Sequence, residues 1–494
     1  MATLFRAGIT LPAVLLGACA LQPDYQRPVL DVPGAWHNAP AAATPPSTSA
    51  PIEPTAWWSQ IDDPAVDRLV AAGLSDNPTL AEAAARIDQA RASLTVRDAG
   101  KLPAIGIEGG VTRSRDRINP TGGPSHQTSA TIGARLSWEI DLWRRVREGA
   151  NAARYRVDAR TADAQGARLS VVSDIVDNAI ALRACNLTLD VRDRDIASRD
   201  TELTISRARL AFGSIAPVAL ATAQSNLAAA RTDRISQEET CLRLLDALVA
   251  LSGLDAVTVR DLIAAPLTLA AGSVNDRPST GPWLPAPPSY VPALPATVLL
   301  GNPSVLAAER EAAARWSEIA VARAERLPRV DLAAVLTAQW IRALGSGSSF
   351  TTNSIGATLA GPIFDGGAGA ANVRGAQAAY REAVAQLSLA IRTTVRDVED
   401  ALAGRQSALL RIGTSQETLD TAGFALTANE ARWRAGAMSQ FELEESRRQF
   451  NRAQQGAIEA AADHARAWVA LMRRIGLTRD QGNAPNPASG SEAR

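Results

Sequence analysis

The longest regular pattern of apolar positions lies between Arg144 and Ala211, a stretch without proline. Leucine or isoleucine recurs there every seven residues, at Ile175, Leu182, Leu189, Ile196, Leu203 and Leu210. A seven-residue apolar repeat is typical of a helix that buries one seam against a neighbouring helix. Such a helix would be about 100 Å long at its usual rise per residue. We therefore expect a strut within an elongated assembly.

The same pattern occurs a second time further along the chain. A seam with the same spacing continues through Leu419, Leu426 and Trp433. Other matched positions lie 223 to 225 residues apart: Asn77-Pro78 with Asn302-Pro303, Leu102-Pro103 with Leu327-Pro328, and Gly213 with Gly436. Agreement at so many positions indicates an internal duplication.

The duplication sets the expected segments of the chain. They are a lipoprotein signal peptide over 1–18, an acylated, extended tether over 19–60, a first repeat over 61–264, a Pro-rich connector over 265–295, a second repeat over 296–477 and a frayed tail over 478–494. We expect each repeat to run helix, strand, strand, long helix, returning helix. The returning helices begin after glycine tips near residues 213 and 436.

Each repeat contains a region where apolar residues alternate with polar ones, as in a strand with two different faces. The first region, at about 102–141, has its predicted loop from Arg115 to Gln127. The second, at about 328–364, has its predicted loop at the sequence GSGSS. We therefore expect two hairpins of two strands each.

Two explanations of these hairpins stay open. Their apolar face could cover a soluble core, or it could face lipid in a membrane barrel, with Trp138 and Trp340 near an interface. Long strands with glycine-rich polar faces favour the barrel. No apolar run approaches the roughly 20 residues of a spanning helix, so a membrane crossing would use strands. Four strands have open edges, and several chains would then share one closed barrel.

Charge and composition argue against other classes of protein. Lysine plus arginine equals aspartate plus glutamate at 51 each, and the charges are interspersed. We expect no nucleic-acid partner, because no basic field is present. His37, His126 and His464 have no ligand spacing, so we expect neither a metal site nor a cofactor.

The sequence contains no nucleophile elbow, phosphate-binding loop or zinc-protease motif. One acidic cluster, formed by Glu442, Glu444 and Glu445, is interpreted as a solvated helix face. We therefore expect that the protein is not an enzyme.

The N-terminus has the pattern of an export signal. Arg6 precedes an apolar run from Ile9 to Leu16, and the run ends in Leu16-Gly17-Ala18-Cys19. These last four residues resemble a bacterial lipobox, which predicts acylation of Cys19. Ala20 follows instead of an inner-membrane retention aspartate, which favours the outer membrane. The alternative is a plain cleaved signal with an incidental cysteine.

Cys185 and Cys241 lie at equal distances, 28 residues, before and after Gly213. If Gly213 is the turn of an antiparallel helix pair, both thiols lie at the same height. In an exported protein this geometry predicts a disulfide. The alternative is a pair of buried, reduced thiols.

Together these features resemble the TolC-like outer-membrane efflux factors, in the OprM/NodT-like lipoprotein branch that serves resistance-nodulation-division pumps. The resemblance rests on Trp57-Trp58 with Asp63-Pro64, the paired Asn-Pro and Leu-Pro motifs, WEIDLW at 138–143, PIFDGG at 362–367 and the two glycine tips. It implies a mainly helical fold with a membrane β-barrel part. The family forms a homotrimer, with a twelve-stranded barrel in the outer membrane and an α-helical barrel across the periplasm.

The resemblance also implies a function and its partners. The chain would be the passive exit duct of a tripartite efflux pump for drugs or other small toxic compounds, lipid-anchored in the outer membrane and working with a periplasmic adaptor and an inner-membrane pump. The expected adaptor contacts are Phe212, Gly213, Ser214, Ile215, Ala435, Gly436, Ala437 and Met438. The gate candidates are Asp420, Thr427, Glu430 and Arg434. The alternatives are a periplasmic coiled-coil adaptor or scaffold lipoprotein and an exit duct for type I protein secretion.

Overall fold

A computed structural model describes residues 23–29, 32–39, 56–116, 125–264, 284, 287–288, 295–343 and 346–476. After a short 3-10 helix at Trp57–Ile61, the α-helices are α1 (Pro64–Asp76), α2 (Pro78–Ala99), α3 (Arg145–Ala211), α4 (Pro217–Ser252), α5 (Ala256–Ala264), α6 (Pro295–Gly301), α7 (Pro303–Ala324), α8 (Ala368–Arg434) and α9 (Gln440–Ile475). The long helices α3 and α8 have 67 residues each. None of the helices in the described ranges combines the length and apolarity of a membrane-spanning helix.

Four strands form one sheet, β1 (Ala104–Asp116), β2 (Ser125–Ile140), β3 (Arg329–Ala343) and β4 (Ser346–Ala360). The strands lie in chain order, and each pairs with the next in the antiparallel sense. Within the described residues, β1 and β4 therefore pair along one edge only. This sheet joins the hairpins of both repeats.

The chain forms two compact units. Unit 1 consists of residues 1–30, 85–162 and 306–390 and contains the sheet. Unit 2 consists of residues 31–84, 163–305 and 391–494 and contains both hairpin tips.

The core of unit 2 gathers the apolar seam of α3 with residues of several other helices. Ile175 and Leu248 are fully buried there, and Leu182 is 4% exposed. The ring centroids of Trp57 and Trp468 lie 5.4 Å apart in an edge-on arrangement. Ile175, Leu182 and Leu203 of the predicted seven-residue seam are thus buried, and Leu189, Ile196 and Leu210 are half-buried. In the second repeat the seam is more open, with Trp433 41% exposed.

The duplicated Asn-Pro pairs perform the same task in both repeats of unit 2. The Asn77 side chain accepts a hydrogen bond from the Thr79 amide and donates one to the Leu251 carbonyl, each over 2.9 Å. Its counterpart Asn302 accepts from the Ser304 amide and donates to the Arg474 carbonyl, each over 3.1 Å. Each asparagine thus caps the helix that follows and contacts the end of the returning helix of its own repeat.

The prediction of an extended, unpacked tether over 19–60 is wrong for the residues that the structure describes. In unit 2, Trp36 is 7% exposed in the core, and the amides of His37 and Asn38 donate to the Glu399 carboxylate. Trp57 is 1% exposed in the same core. Single aromatic anchors in a Pro- and Ala-rich segment produce no periodicity, and so the pattern did not reveal them. Cys19 lies outside the described residues.

Residues 23–29 likewise pack on unit 1. The rings of Tyr25 and Tyr155 lie 6.2 Å apart, and the Trp316 indole donates to the Pro23 carbonyl. Burial and the neighbouring Glu309 carboxylate raise the pKa of Tyr25. This part of the N-terminal segment is therefore bound to the helices α3 and α7.

The predicted hairpin loops were too long. The predicted loop began at Arg115 and ended at Gln127, but Arg115 still pairs with His126, and Gln127 pairs with Ser114. In the second hairpin Ser346 already pairs with Ala343. Polar, glycine-rich residues can continue a strand near the end of a hairpin, because both faces of the strand are solvated there. A loop predicted from such residues therefore begins too early in the sequence.

The alternation and heptad patterns gave no signal for the short helices α5 and α6. Most of the predicted connector at 265–295, residues 117–124 and 344–345, the signal peptide and the predicted tail lie outside the described residues. Of the connector residues in the structure, Leu284 is 8% exposed in the core of unit 2.

Candidate functional site: sheet faces, hairpin tips and helix contacts

One face of the sheet in unit 1 is apolar and open. Ile105, Ile107 and Ile355 are 76%, 80% and 87% exposed. The register brings Ile105, Leu136, Ala334 and Ile355 into one row across all four strands. A continuous apolar surface is costly in water but suits the hydrocarbon layer of a membrane.

The other face of the sheet is mainly polar. Glu108, Gly133, Thr337 and Thr352 form one row across it. A Cβ atom at Gly133 would lie 2.9 Å from the Leu336 carbonyl oxygen, so only glycine fits this close approach. A sheet with one apolar and one polar face is the arrangement of a barrel wall between lipid and an aqueous lumen.

Tryptophans tie the base of the sheet to the neighbouring chain segments. The Trp138 indole donates to the Lys101 carbonyl over 3.1 Å, and the Trp143 indole donates to the Pro328 carbonyl. Trp340, towards the opposite end of its strand, is 41% exposed. These indoles have the amphipathic character of residues at membrane interfaces.

The two long helices begin with the same device. The Asp141 carboxylate accepts hydrogen bonds from the amides of Val146 and Arg147, at the start of α3. The Asp365 carboxylate accepts from the amides of Gly367 and Gly369, at the start of α8, and these bonds lower the pKa of Asp365. The aspartates of WEIDLW and PIFDGG thus turn a strand into a helix by capping its free amides.

Both hairpin tips of unit 2 turn at a glycine with positive φ, 66° at Gly213 and 73° at Gly436. The Ser214 amide donates to the Arg209 carbonyl, and the Ala437 amide donates to the Arg432 carbonyl, each over 2.9 Å. These bonds are the usual way to close a helix at a left-handed glycine. At the first tip, Phe212 is 87% exposed.

The tips differ in how the returning helix begins. Ser439 and Glu442 form a reciprocal capping box at the start of α9. Hydrogen bonds from the Ser439 amide and hydroxyl lower the pKa of Glu442. The helix α4 begins instead at Ala216-Pro217 without a side-chain cap. All eight predicted tip residues lie in the two turns, and Ile215 and Met438 are half-buried.

The structure brings Cys185 and Cys241 together as a disulfide. Their Cα atoms lie 5.6 Å apart, and the bond joins α3 to α4 across a sequence separation of 56 residues. The Gln237 side chain donates to the Cys185 sulfur. The equal sequence distances of Cys185 and Cys241 from Gly213 thus place the two cysteines opposite each other on α3 and α4.

The four gate candidates on α8 do not form one cluster. The Asp420 carboxylate accepts from Gln416, and the Thr427 hydroxyl donates to the Gly423 carbonyl of its own helix. Glu430 forms ion pairs with Arg434 at 3.4 Å and with Arg447 of α9 at 3.5 Å. Of the four, only Glu430 is paired with the returning helix.

The interpretation of the glutamate cluster on α9 as a solvated face is wrong for Glu444, which is fully buried. Its carboxylate accepts hydrogen bonds from Ser198 of α3 and from Gln440. One turn further along, Arg448 donates to Glu202 of α3 over 2.6 Å. These buried contacts join the long helix of the first repeat to the returning helix of the second. Glu444 and Ser198 are 246 residues apart, so no local pattern signals them.

His464 of α9 is 8% exposed, and its Nε2 atom has no hydrogen-bond partner among the described residues. Burial and the Arg405 guanidinium of α8 lower its pKa. Among the described residues, no group of three or more histidine, cysteine or acidic side chains is arranged to hold a metal ion.

The long paired helices, the two-faced sheet and the glycine tips are the arrangement expected of an outer-membrane channel. The sequence profile of the family described as outer membrane efflux protein matches residues 69–254 and 294–477. The chain therefore belongs to the outer membrane efflux protein family. Its fold is mainly helical with a β part, as the motifs of both repeats predicted.

Similarity to individual proteins extends over almost the whole chain. "Nodulation protein T" of Rhizobium leguminosarum bv. viciae is 26% identical over 98% of this chain and 96% of its own length. "Solvent efflux pump outer membrane protein SrpC" of Pseudomonas putida is 25% identical over 94% of this chain and 96% of its own. The crystal structure of the CmeC outer membrane channel of Campylobacter jejuni has a TM-score of 0.78 at 22% identity, covering 94% of this chain and 96% of that one.

Proposed function

We propose that the protein is the exit duct of a tripartite efflux pump and that it works as a homotrimer. The observation that carries this proposal is the four-stranded sheet, with its exposed apolar face and with outer edges at β1 and β4 that no other described strand pairs with. Unpaired backbone groups are not tolerated in lipid, so the edges need partner strands. Three copies would contribute twelve strands to one closed barrel, in which β1 of one protomer pairs with β4 of the next.

The solutes that we propose are small toxic molecules, and they pass through the lumen without chemical change. Similarity to the solvent efflux pump outer membrane protein SrpC supports small molecules over secreted proteins. Membership of the outer membrane efflux protein family favours a channel over a periplasmic adaptor. We further propose that acylated Cys19 anchors the mature chain in the outer membrane.

The proposed partners are a periplasmic adaptor and an inner-membrane pump. Phe212 and the two exposed turns around Gly213 and Gly436 offer the adaptor a surface that the chain itself leaves uncovered. Glu430 and Arg434 form an ion pair in the last turns of α8 before the second tip, and Glu430 also pairs with Arg447 of α9. We propose that breaking such contacts opens the duct, with differential binding of the adaptor as the source of free energy.

The test is conductance of the purified, full-length protein in planar bilayers, combined with chemical crosslinking in detergent. We expect stable ion channels and a crosslinked product of three chains. Absence of channels from a protein that crosslinks only as a monomer would refute the proposal. Channels formed by a different number of chains would refute the trimer but retain the duct.

A further inference from the structure

A basic groove lies in unit 1 between the helices α2 and α3. Its volume is about 730 Å³, and its polar lining is Arg86, Gln89, Ser93, Arg97, Arg156 and Arg160. None of the residues that line it is acidic. The groove thus combines four guanidinium groups with two neutral hydrogen-bonding side chains.

The spacing of these residues places them on facing sides of the two helices. On α2, Arg86, Gln89, Ser93 and Arg97 follow one another at intervals of three or four residues, and on α3 four residues separate Arg156 from Arg160. Such intervals keep side chains on one helix face. The polar side chains therefore form a continuous stripe along the groove, about 16 Å long on α2 by the rise of a helix, with an arginine at each end of it.

Three of the four arginines of the groove have interaction partners, namely Arg86, Arg156 and Arg160. Glu311 and Glu318 form ion pairs with Arg156, and both carboxylates come from α7, outside the groove lining. In the part of the chain that the structure describes, Arg97 has no ion pair. A cavity with guanidinium groups and no acidic lining residue attracts anions more than cations.

The groove is distinct from the surface that holds the N-terminal segment. Tyr155, which contacts Tyr25, precedes Arg160 by five residues and lies about 140° away around α3. The contact of Tyr25 thus lies on a different side of α3 from Arg160.

We propose that this groove binds the oxyanion groups of soluble anions, namely carboxylate, phosphate or sulfonate. The planar guanidinium fork of arginine matches two oxygens of such a group at once, and Gln89 and Ser93 supply further donors. In the context of the proposed duct, which this inference extends, the groove is a subsite that favours acidic solutes. The inference concerns binding and involves no chemical step.

The test measures binding of pyranine, a fluorescent pyrene trisulfonate, to the full-length protein in neutral detergent. The readout is the fluorescence anisotropy of the dye at low salt. We expect saturable binding that weakens with added sodium chloride, because exposed charges are screened. Replacing Arg97 by glutamine (R97Q) should raise the dissociation constant about three- to tenfold, the loss of one charge-assisted contact.

The matched control is Arg91→Gln, which removes the same charge from the same helix. Arg91 pairs with Asp88 and does not line the groove, so the dissociation constant should stay within twofold of the wild type. Equal effects of the two substitutions, or no saturable binding by the wild type, would overturn the inference.

Competition separates the sources of the anion. We expect sodium phosphate to displace the dye, whereas displacement only by dihexanoylphosphatidylglycerol would assign the groove to a lipid headgroup and overturn the assignment to solutes. The readout does not depend on transport. Dye binding without bilayer conductance would refute the duct and retain the groove, and conductance without dye binding would do the reverse.

Discussion

Asp63 holds a buried ion pair in unit 2, and replacing it by asparagine should open this region of the structure. Asp63 is 2% exposed, and its carboxylate accepts hydrogen bonds from Arg183 at 2.8 and 2.9 Å. Asp63 also accepts from the Ala65 amide at the start of α1. Asparagine is an equally good helix cap, so Asp63→Asn removes the charge and leaves the cap acceptor in place.

The expected loss of stability follows from the charge of Arg183, which stays buried after Asp63 has lost its own charge. Arg183 is 8% exposed and also donates a hydrogen bond to the Ile263 carbonyl over 2.8 Å, but its charge is held by the Asp63 carboxylate. A buried charge deprived of its partner costs about 3–5 kcal/mol. At about 1.4 kcal/mol per tenfold change, we expect the opening equilibrium of α1 to rise by about a thousandfold.

Hydrogen exchange of the detergent-solubilised, full-length protein measures this opening directly, in peptides that cover Pro64–Asp76. The matched control is Asp62→Asn, because Asp62 is an exposed neighbour with the same chemistry. Its φ of 57° is tolerated by asparagine, so exchange should change by less than threefold.

A double variant tests whether the buried charge of Arg183 causes the lost protection from exchange. Replacing a whole buried ion pair by apolar groups is often close to neutral, so Asp63→Asn combined with Arg183→Met should recover most of the lost protection. The account of this site would be refuted by unchanged exchange in Asp63→Asn. It would also be refuted by a double variant that exchanges as fast as the single one.

Three further predictions concern unit 2. Without reductant, iodoacetamide should label neither Cys185 nor Cys241 of the intact protein, and replacing both by alanine should cost about 4 kcal/mol in the chain-entropy description of such a loop; labelling of both before reduction would contradict the disulfide. Charge reversal at Glu430 or at Arg434 should raise bilayer conductance, and unchanged conductance in both variants would remove these residues from the gate. The lowered pKa of His464 means that the unfolded chain takes up a proton first as the pH falls below about 6.5. Stability should therefore decline below that pH, His464→Gln should weaken this decline in thermal unfolding at pH 5 and pH 8, and an unaltered pH dependence would contradict the assignment.

The sequence predicted those features whose cause is local. The buried positions Ile175, Leu182 and Leu203 of α3 are separated by multiples of seven residues, because such spacing keeps them on the helix face that packs. The two-faced sheet follows from alternation, because neighbouring residues of a strand point to opposite sides. The equal distances of Cys185 and Cys241 from Gly213 predict contact between the two cysteines, because both helices are regular between these residues and Gly213.

The features that the sequence did not reveal depend on partners far along the chain. Trp36 lies in a core that also contains Val398 and Trp468, hundreds of positions further along the chain, and its own sequence neighbours are typical of a linker. Glu444 is charged and lies among other charges, yet Ser198 of α3 covers it. The basic groove exists only because the helices α2 and α3 lie side by side. Local pattern carries no information about such pairings.

The central claim is that one face of the sheet meets lipid while the other lines a conducting lumen. Adjacent residues of β2 test it, since Thr131 lies on the polar face and Ile132 on the apolar face. The measurement is channel current in a planar bilayer before and after a cationic methanethiosulfonate reagent, applied to Thr131→Cys and Ile132→Cys. We expect the reagent to reduce the current of Thr131→Cys and to leave that of Ile132→Cys unchanged. An equal response of both variants, or the opposite pattern, would contradict the claim.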